Sequence, residues 1–95
     1  MDPDTVVIPV DGILDLHAFA PKDVSSVVAE YLEACLEAGI FEVRIIHGKG
    51  KGVLRRQVHA ILERHPRVKG FSLDPGSSGW GATLVGLDSI GKQAR

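Results

Sequence analysis

From Val24 the apolar positions Val24, Val27, Val28, Tyr31, Leu32 and Cys35 recur at three- and four-residue steps, the stripe of a helix with one buried face. Pro21 and Asp23 mark its start and Gly39 its stop, while Glu30, Glu33 and Glu37 fall on the outward side. A second stripe, Leu54, Val58, Ile61 and Leu62, predicts a helix over Val53 to Arg64, closed by Pro66. Elsewhere the period changes to two. Between Ile13 and Phe19, Leu14 and Leu16 share one face of a half-buried strand and Asp15 and His17 the other. Val43, Ile45 and Ile46 form a nearly continuous apolar run, expected of a strand covered on both faces and ending at His47. Val68 to Asp74 reads as a third strand. Trp80 to Leu87 reads as a fourth, in which Gly81 and Gly86 suggest a bulge or a close backbone approach. A short strand at Thr5 to Val10 is demoted by Pro9 to an edge or an arm, and Asp11-Gly12 turns the chain after it.

The resulting order, β-α-β-α-β-β, predicts two strand-helix-strand crossovers and a final antiparallel hairpin. That is a two-layer α/β sandwich, with two helices against a mixed four-stranded sheet. Ninety-five residues suit one domain, here expected at 13–87, with an N-terminal arm at 1–12 and a loose tail at 88–95. The single cysteine, Cys35, rules out an internal disulfide and a site of several thiolates. Apolar runs fall far short of the roughly 18 residues of a membrane helix, so the expectation is a soluble, cytoplasmic protein without a membrane partner.

Charge refines this picture. Eleven Lys and Arg against twelve Asp and Glu give −1 overall, which by itself does not announce a polyanion partner. The order is uneven, however. Residues 23–43 carry five acids and no Lys or Arg, whereas residues 44–71 carry Arg44, Lys49, Lys51, Arg55, Arg56, Arg64, Arg67 and Lys69 against Glu63 alone. A near-neutral chain with that order is expected to present a positive face.

The chemistry concentrates where ligands of parallel sheets gather, beyond the carboxyl ends of strands. His17 and His47 lie near two such ends. Between His47 and the second helix runs Gly48-Lys49-Gly50-Lys51-Gly52, where converging backbone N–H groups and a helix N-terminus favour a phosphate. Neither nucleotide fingerprint is present, so ATP or NAD binding is not supported. Arg55 and Arg56 on the first helical turn oppose the helix dipole, which points to an anion nearby. Asp15 sits about 7 Å in Cα from His17 along an extended strand, placed to orient the imidazole. Asp15, His17 and His47 have the composition of a two-His, one-carboxylate triad, but no metal site is assigned. His59, His65 and Cys35 read as structural, and Trp80 as a platform for a base or as part of the core or rim.

Three segments taken together, Leu14-Asp15-Leu16-His17, Ile45-Ile46-His47-Gly48-Lys49-Gly50 running into Gly52-Val53-Leu54-Arg55, and Gly79-Trp80-Gly81-Ala82-Thr83-Leu84-Val85, resemble the Smr domain, the small MutS-related family. The resemblance implies a fold like the carboxy-terminal domain of the third bacterial translation initiation factor. It also implies nucleic-acid binding and, in many members, endonuclease activity on DNA or RNA. The resemblance maps its strand motif onto Leu14 to His17, its glycine-loop motif onto His47 to Gly50 and a functional arginine onto Arg55; with the reading of the residues themselves, Asp15, His17, His47 and Arg55 are the candidate catalytic residues, and Gly48, Lys49, Gly50, Lys51, Gly52, Arg56 and Trp80 the candidate nucleic-acid contacts. Ala18 stands where the family usually has Gly, and His47 where relatives often have Thr, which weighs against an obligatory acid–base role for His47.

The expectation is therefore an endonuclease acting on phosphodiester bonds, with structured, branched or ribosome-associated nucleic acid as substrate and a ribosome or repair protein as a further partner. Cleavage of RNA through its 2′-hydroxyl needs no cofactor; cleavage of DNA by water calls for Mg²⁺ or Mn²⁺. The alternative is a non-catalytic nucleic-acid-binding module in DNA repair, recombination or translation quality control.

Overall fold

A computed structural model describes residues 9–48, 52–74 and 81–88. Their order is β1 (Ile13–Asp15), α1 (Val24–Glu37), β2 (Glu42–Ile46), α2 (Val53–Arg64), β3 (Val68–Leu73) and β4 (Ala82–Leu87). The sheet runs β1-β2-β4-β3. β1 lies parallel to β2, whereas β4 is antiparallel to both β2 and β3, so the sheet is mixed as the order of elements predicts. The connection through α2 passes over the place β4 occupies, and β4 then returns between β2 and β3. The irregularity expected near Gly86 falls on the partner strand: the register shifts between Val68 and Gly70, opposite Leu87 and Gly86.

Both helices cover one face of the sheet. Leu14, Val43, Ile45, Val85 and Leu87 from the strands meet Val24, Val28, Leu32 and Cys35 of α1 and Val58 and Leu62 of α2, all buried. Complete burial of a large aliphatic side chain contributes about 1.5–3 kcal/mol, so this layer is the main stabilising element. Period two also corrects the reading of β2. Val43 and Ile45 are buried, but Arg44 and Ile46 on the other face are only partly covered, because no second helical layer occurs among the described residues. That open face carries Ile13 and Leu84, both well exposed.

Two local devices fix the ends of α1. At its C-terminus Ile40 N–H donates to Cys35 O at 2.8 Å and Gly39 N–H to Leu36 O at 3.2 Å, a Schellman cap that requires the positive φ of 78° at Gly39. On the same helix the hydroxyl of Tyr31 accepts from Gly12 N–H at 3.0 Å and faces Ile13 O at 3.1 Å, pinning the Asp11-Gly12 turn that leads into β1. Burial raises the Tyr31 phenol above its ordinary value. At the other end of the layer, His65 Nε2 donates to Glu33 Oε2 at 3.2 Å and ties the end of α2 to α1, the structural role its sequence context suggested.

The Thr5 to Val10 strand lies mostly outside the described residues, and Pro9 and Val10 are exposed and not in a strand. The proposed tail beyond Asp88 and the Pro75 to Gly79 turn also lie outside them. No helix among the described residues is long and apolar enough to cross a membrane.

Candidate functional site

β1 is shorter than the alternation of its residues suggested. It ends at Asp15, and Leu16–Ala18 form one turn of 3-10 helix. The reason is the carboxylate of Asp15, which caps that turn by accepting the backbone N–H of His17 at 2.9 Å. The same oxygen, Oδ1, lies 2.7 Å from His17 Nδ1. A pleated strand would have held the two side chains parallel and about 7 Å apart in Cα; the turn instead folds the imidazole back onto the carboxylate. Those hydrogen bonds lower the Asp15 pKa, the backbone N–H of His17 first, against a partial opposing effect of burial. A carboxylate can only accept, so His17 Nδ1 carries the hydrogen and Nε2 is the open nitrogen. Both side chains are more than half exposed.

His47 has a different fate. It immediately follows β2, beside the end of β1 because Asp15 pairs with Ile46. It is only 4% exposed. Its Nδ1 lies 3.0 Å from Gly48 O and its Nε2 2.8 Å from Thr83 Oγ1. Both nitrogens of His47 are thus engaged by the protein in this arrangement, in contrast to the open Nε2 of His17. Asp15, His17 and His47 therefore do not assemble as a metal triad, and no cluster of three metal-ligating side chains occurs among the described residues.

Gly48 joins the two histidines. Its φ is +85°, and a Cβ there would lie 3.1 Å from His17 Nε2. The N–H groups of His47 and Gly48 both donate to Gly81 O, at 3.0 and 2.8 Å, so β4 anchors the start of the glycine segment. The segment's far end is Gly52, again at positive φ, +81°, which starts α2 without any side-chain cap. The guanidinium of Arg55 lies across Gly52, with one nitrogen 2.9 Å from where a Cβ would be. Lys49, Gly50, Lys51 and Trp80 lie outside the described residues.

The basic stretch does not form one face. Arg55 and Arg56 stand at the N-terminus of α2, but Arg44 lies on the open side of the sheet and pairs with Asp74, Nε to Oδ2 at 2.9 Å. Arg67 donates to Asp88 O, and the stem of Lys69 lies on Gly86. The strand periodicity divides what the linear order had grouped.

An aspartate-oriented histidine thus lies against Gly48 at the carboxyl ends of β1 and β2, and Arg55 lies against Gly52 at the start of α2. The Smr domain family model matches residues 14–88, the stretch that contains all of them. The chain belongs to the Smr domain family. Relatives include Endonuclease MutS2 of Clostridium tetani, 38% identical over 79 residues, 82% of this chain and 10% of the relative. Another is ribosome rescue factor SmrB of Shewanella baltica, 36% identical over 83 residues, 87% of this chain and 47% of the relative. The chain thus spans a tenth to a half of the length of these curated relatives. Among solved structures, the Smr domain of Thermus thermophilus MutS2 matches with a TM-score of 0.74 and 33% identity, covering 81% of this chain and 98% of that one. YdaL of Escherichia coli, a stand-alone small MutS-related protein, matches with a TM-score of 0.73 and 26% identity, covering 81% and 64%. The α+β architecture is that of Smr domains.

Smr membership did not locate the polar cluster beneath the site. Thr83 is fully buried and also lies 2.8 Å from His59 Nε2, so His59 on α2 and His47 after β2 share one hydroxyl. Sequence offered only a weak signal for this: a threonine at a core-facing position of a strand. His59 also packs against Phe71, with ring centroids 4.8 Å apart.

Proposed function

We propose that this Smr domain is a cytoplasmic endonuclease in which His17 transfers the proton and the start of α2 holds the phosphodiester. The observation that carries this reading is the Asp15–His17 pair, because Asp15 engages Nδ1 and leaves Nε2 open toward the Gly48 backbone, with the imidazole exposed to a substrate. Asp15 holds the ring's tautomer and stabilises the imidazolium that forms when Nε2 takes a proton. Arg55, with Arg56 and the uncapped N–H groups of α2, supplies positive potential for the phosphate. Lys49 and Lys51 lie between those anchors in sequence and add to it.

On RNA, Nε2 removes the proton of the 2′-hydroxyl, and the oxygen attacks the adjacent phosphorus. The bond from phosphorus to the 5′-oxygen breaks, leaving a 2′,3′-cyclic phosphate and a 5′-hydroxyl that takes up one proton. On DNA the nucleophile is water, and Mg²⁺ or Mn²⁺ would assist its deprotonation. Asp15 Oδ2 is the carboxylate oxygen not engaged by His17 in this arrangement. Of the substrate classes proposed, ribosome-associated nucleic acid is the one in keeping with a relative's name, ribosome rescue factor, while structured or branched nucleic acid is the other.

A second reading has an observation in its favour. Cleavage of RNA uses a base and an acid, and with His47 committed to Gly48 and Thr83 only one of the two histidines can move a proton. A binding module that does not cut, acting in DNA repair, recombination or translation quality control, needs neither. One experiment separates the readings: matched RNA and DNA, single-stranded and branched, are incubated with the protein with and without EDTA, and the new ends are identified. Cyclic phosphate ends that persist in EDTA establish the RNA mechanism. Binding without new ends overturns the nuclease reading and leaves the binding module.

A further inference from the structure

Thr83 takes no part in the chemistry above, yet it sits under the site with both histidines on its hydroxyl. The direction of those hydrogen bonds follows from one end of the chain. Gly48 O is a carbonyl and can only accept, so His47 Nδ1, 3.0 Å away, must donate. In a neutral ring Nε2 then has only a lone pair. Thr83 therefore donates to it across 2.8 Å, and the oxygen, its single hydrogen spent, accepts from His59 Nε2, also at 2.8 Å. Every buried polar atom in this cluster has a partner, and the order of protons is unique. Burial, the facing ring of His47 and then the charge of Arg55 lower the His59 pKa and keep its ring neutral, with a weaker opposing effect from Glu63. The two rings meet edge to face, with centroids 6.2 Å apart.

We propose that Thr83 and His59 are positioning residues of the site, acting through His47. A hydrogen-bond chain running one way, from His59 to Thr83 to His47 to Gly48 O, fixes the tautomer of His47. It thereby fixes the peptide of Gly48, against which His17 Nε2 lies. The start of β4 contributes twice, since Gly81 O, just before the strand, holds the N–H groups of His47 and Gly48 while Thr83, two residues on, holds the ring. Helix α2 contributes through His59, one turn after Arg55. The same helix that brings the cation thus also locks the backbone beneath the base. A buried, fully satisfied polar network of this kind specifies one arrangement, whereas an apolar core at the same place would tolerate several.

The kinetic part of this proposal rests on the nuclease reading; the structural part does not, and the test keeps them apart. Long-range ¹H–¹⁵N NMR spectra of the full chain at neutral pH read both tautomers. The expected result is hydrogen on Nδ1 of His47 and on Nε2 of His59, and the reverse tautomer at either ring overturns the chain. That measurement needs no variant, so it decides even where a substitution prevents folding. Thr83→Val removes the hydroxyl at nearly constant shape, and Thr83→Ser restores it. Misplacing a reacting group lowers turnover by about ten- to a hundredfold, so Thr83→Val should lose kcat to that extent at unchanged nucleic-acid affinity, with Thr83→Ser near wild type. The Gly48 amide and the His17 ring signals should move in the valine variant and return in the serine variant. A folded Thr83→Val protein with wild-type kcat, or equal loss in valine and serine, overturns the proposal. Where the wild-type protein binds nucleic acid without cutting it, the nuclease reading fails alone; the Gly48 and His17 signals then decide, and their constancy in Thr83→Val overturns the positioning role.

Discussion

Replacing the two site histidines separately should produce opposite profiles, because one is exposed and the other is wired into the core. The His17 side chain is 64% exposed and its side-chain partner among the described residues, Asp15, is 57% exposed. Pairs of that kind contribute about 0–1 kcal/mol, so His17→Ala should leave unfolding in urea almost unchanged. A positioned acid or base contributes roughly 10²- to 10⁴-fold to the rate, which at about 1.4 kcal/mol per factor of ten is roughly 3–5 kcal/mol of transition-state stabilisation. That loss should appear in kcat, with nucleic-acid binding within a few-fold. His47→Ala instead removes a ring that is 4% exposed and breaks its bonds to Gly48 O and Thr83. An emptied core site and an unpaired buried hydroxyl together cost about 2–5 kcal/mol, a large share of the roughly 5–15 kcal/mol that holds a small domain folded. The urea midpoint should fall strongly. Urea titrations followed by tryptophan fluorescence, beside single-turnover cleavage under conditions where each variant is folded, measure both quantities. The reasoning is refuted if His17→Ala cuts normally, or if His17→Ala destabilises the protein as much as His47→Ala does.

Asp15→Asn keeps the shape but can donate as well as accept, so the His17 tautomer is no longer forced; ¹⁵N shifts should show mixed Nδ1 and Nε2 protonation and kcat should fall, though less than in His17→Ala. Wild-type tautomers in that variant would remove the orienting role. Gly48→Ala and Gly39→Ala both place a Cβ at positive φ, costing about 1–2 kcal/mol each, but only at Gly48 does the new atom meet His17, at 3.1 Å, while Gly39 has open space. Similar thermal shifts with activity lost only in Gly48→Ala are expected; equal activities would separate Gly48 from the site. Substituting Lys49, Lys51 and Arg55 together by Ala should flatten the salt dependence of binding by about one unit of slope per lost phosphate contact, and an unchanged slope in fluorescence anisotropy would take the segment out of the interface. The folded chain resists protonating His59, whose pKa is lowered mainly by burial. Above about 6.5 neither state is charged there; as pH falls below it the unfolded chain takes the proton first. Stability should therefore decline on acidification, and His59→Leu should remove part of that decline; parallel pH curves for the two proteins would contradict the assignment.

How much of this was readable in advance depended on the length over which each signal was summed. Helix α2 matches its predicted bounds because four apolar positions and a following Pro66 agree over three turns. β1 failed at its end. Leu14 and Leu16 are both buried whether the backbone is extended or turns tightly, so burial could not distinguish a strand from a 3-10 turn; the deciding interaction was local, Asp15 accepting the N–H two residues ahead. Charge order misled for a related reason. Arg44 and Arg55 belong to the same basic stretch of the sequence, yet strand and helix geometry send one to the open sheet face and the other to the start of α2. The His47–Thr83–His59 contact was illegible because its members come from three elements 12 to 36 positions apart, and no periodicity reports which core-facing polar side chains will meet.

The same contact explains how the fold can place a mobile kind of sequence, rich in glycine, at a point where position matters. Gly48 and Gly52 are free to take positive φ, and that freedom would ordinarily make the backbone adaptable. At the β2 end the freedom is removed from outside the segment, by two N–H bonds to Gly81 O and by the ring of His47 on Gly48 O. At the α2 end it is removed by the first helical bond, Arg56 N–H to Gly52 O at 3.0 Å, and by the guanidinium of Arg55 over Gly52. Glycine is favoured at 48 and 52 because both take positive φ, +85° and +81°, and a Cβ there would in addition displace the side chain of His17 or of Arg55. The side chains proposed to act on the phosphate therefore lie directly against two of the glycines. The buried polar chain then supplies the rigidity that those glycines lack.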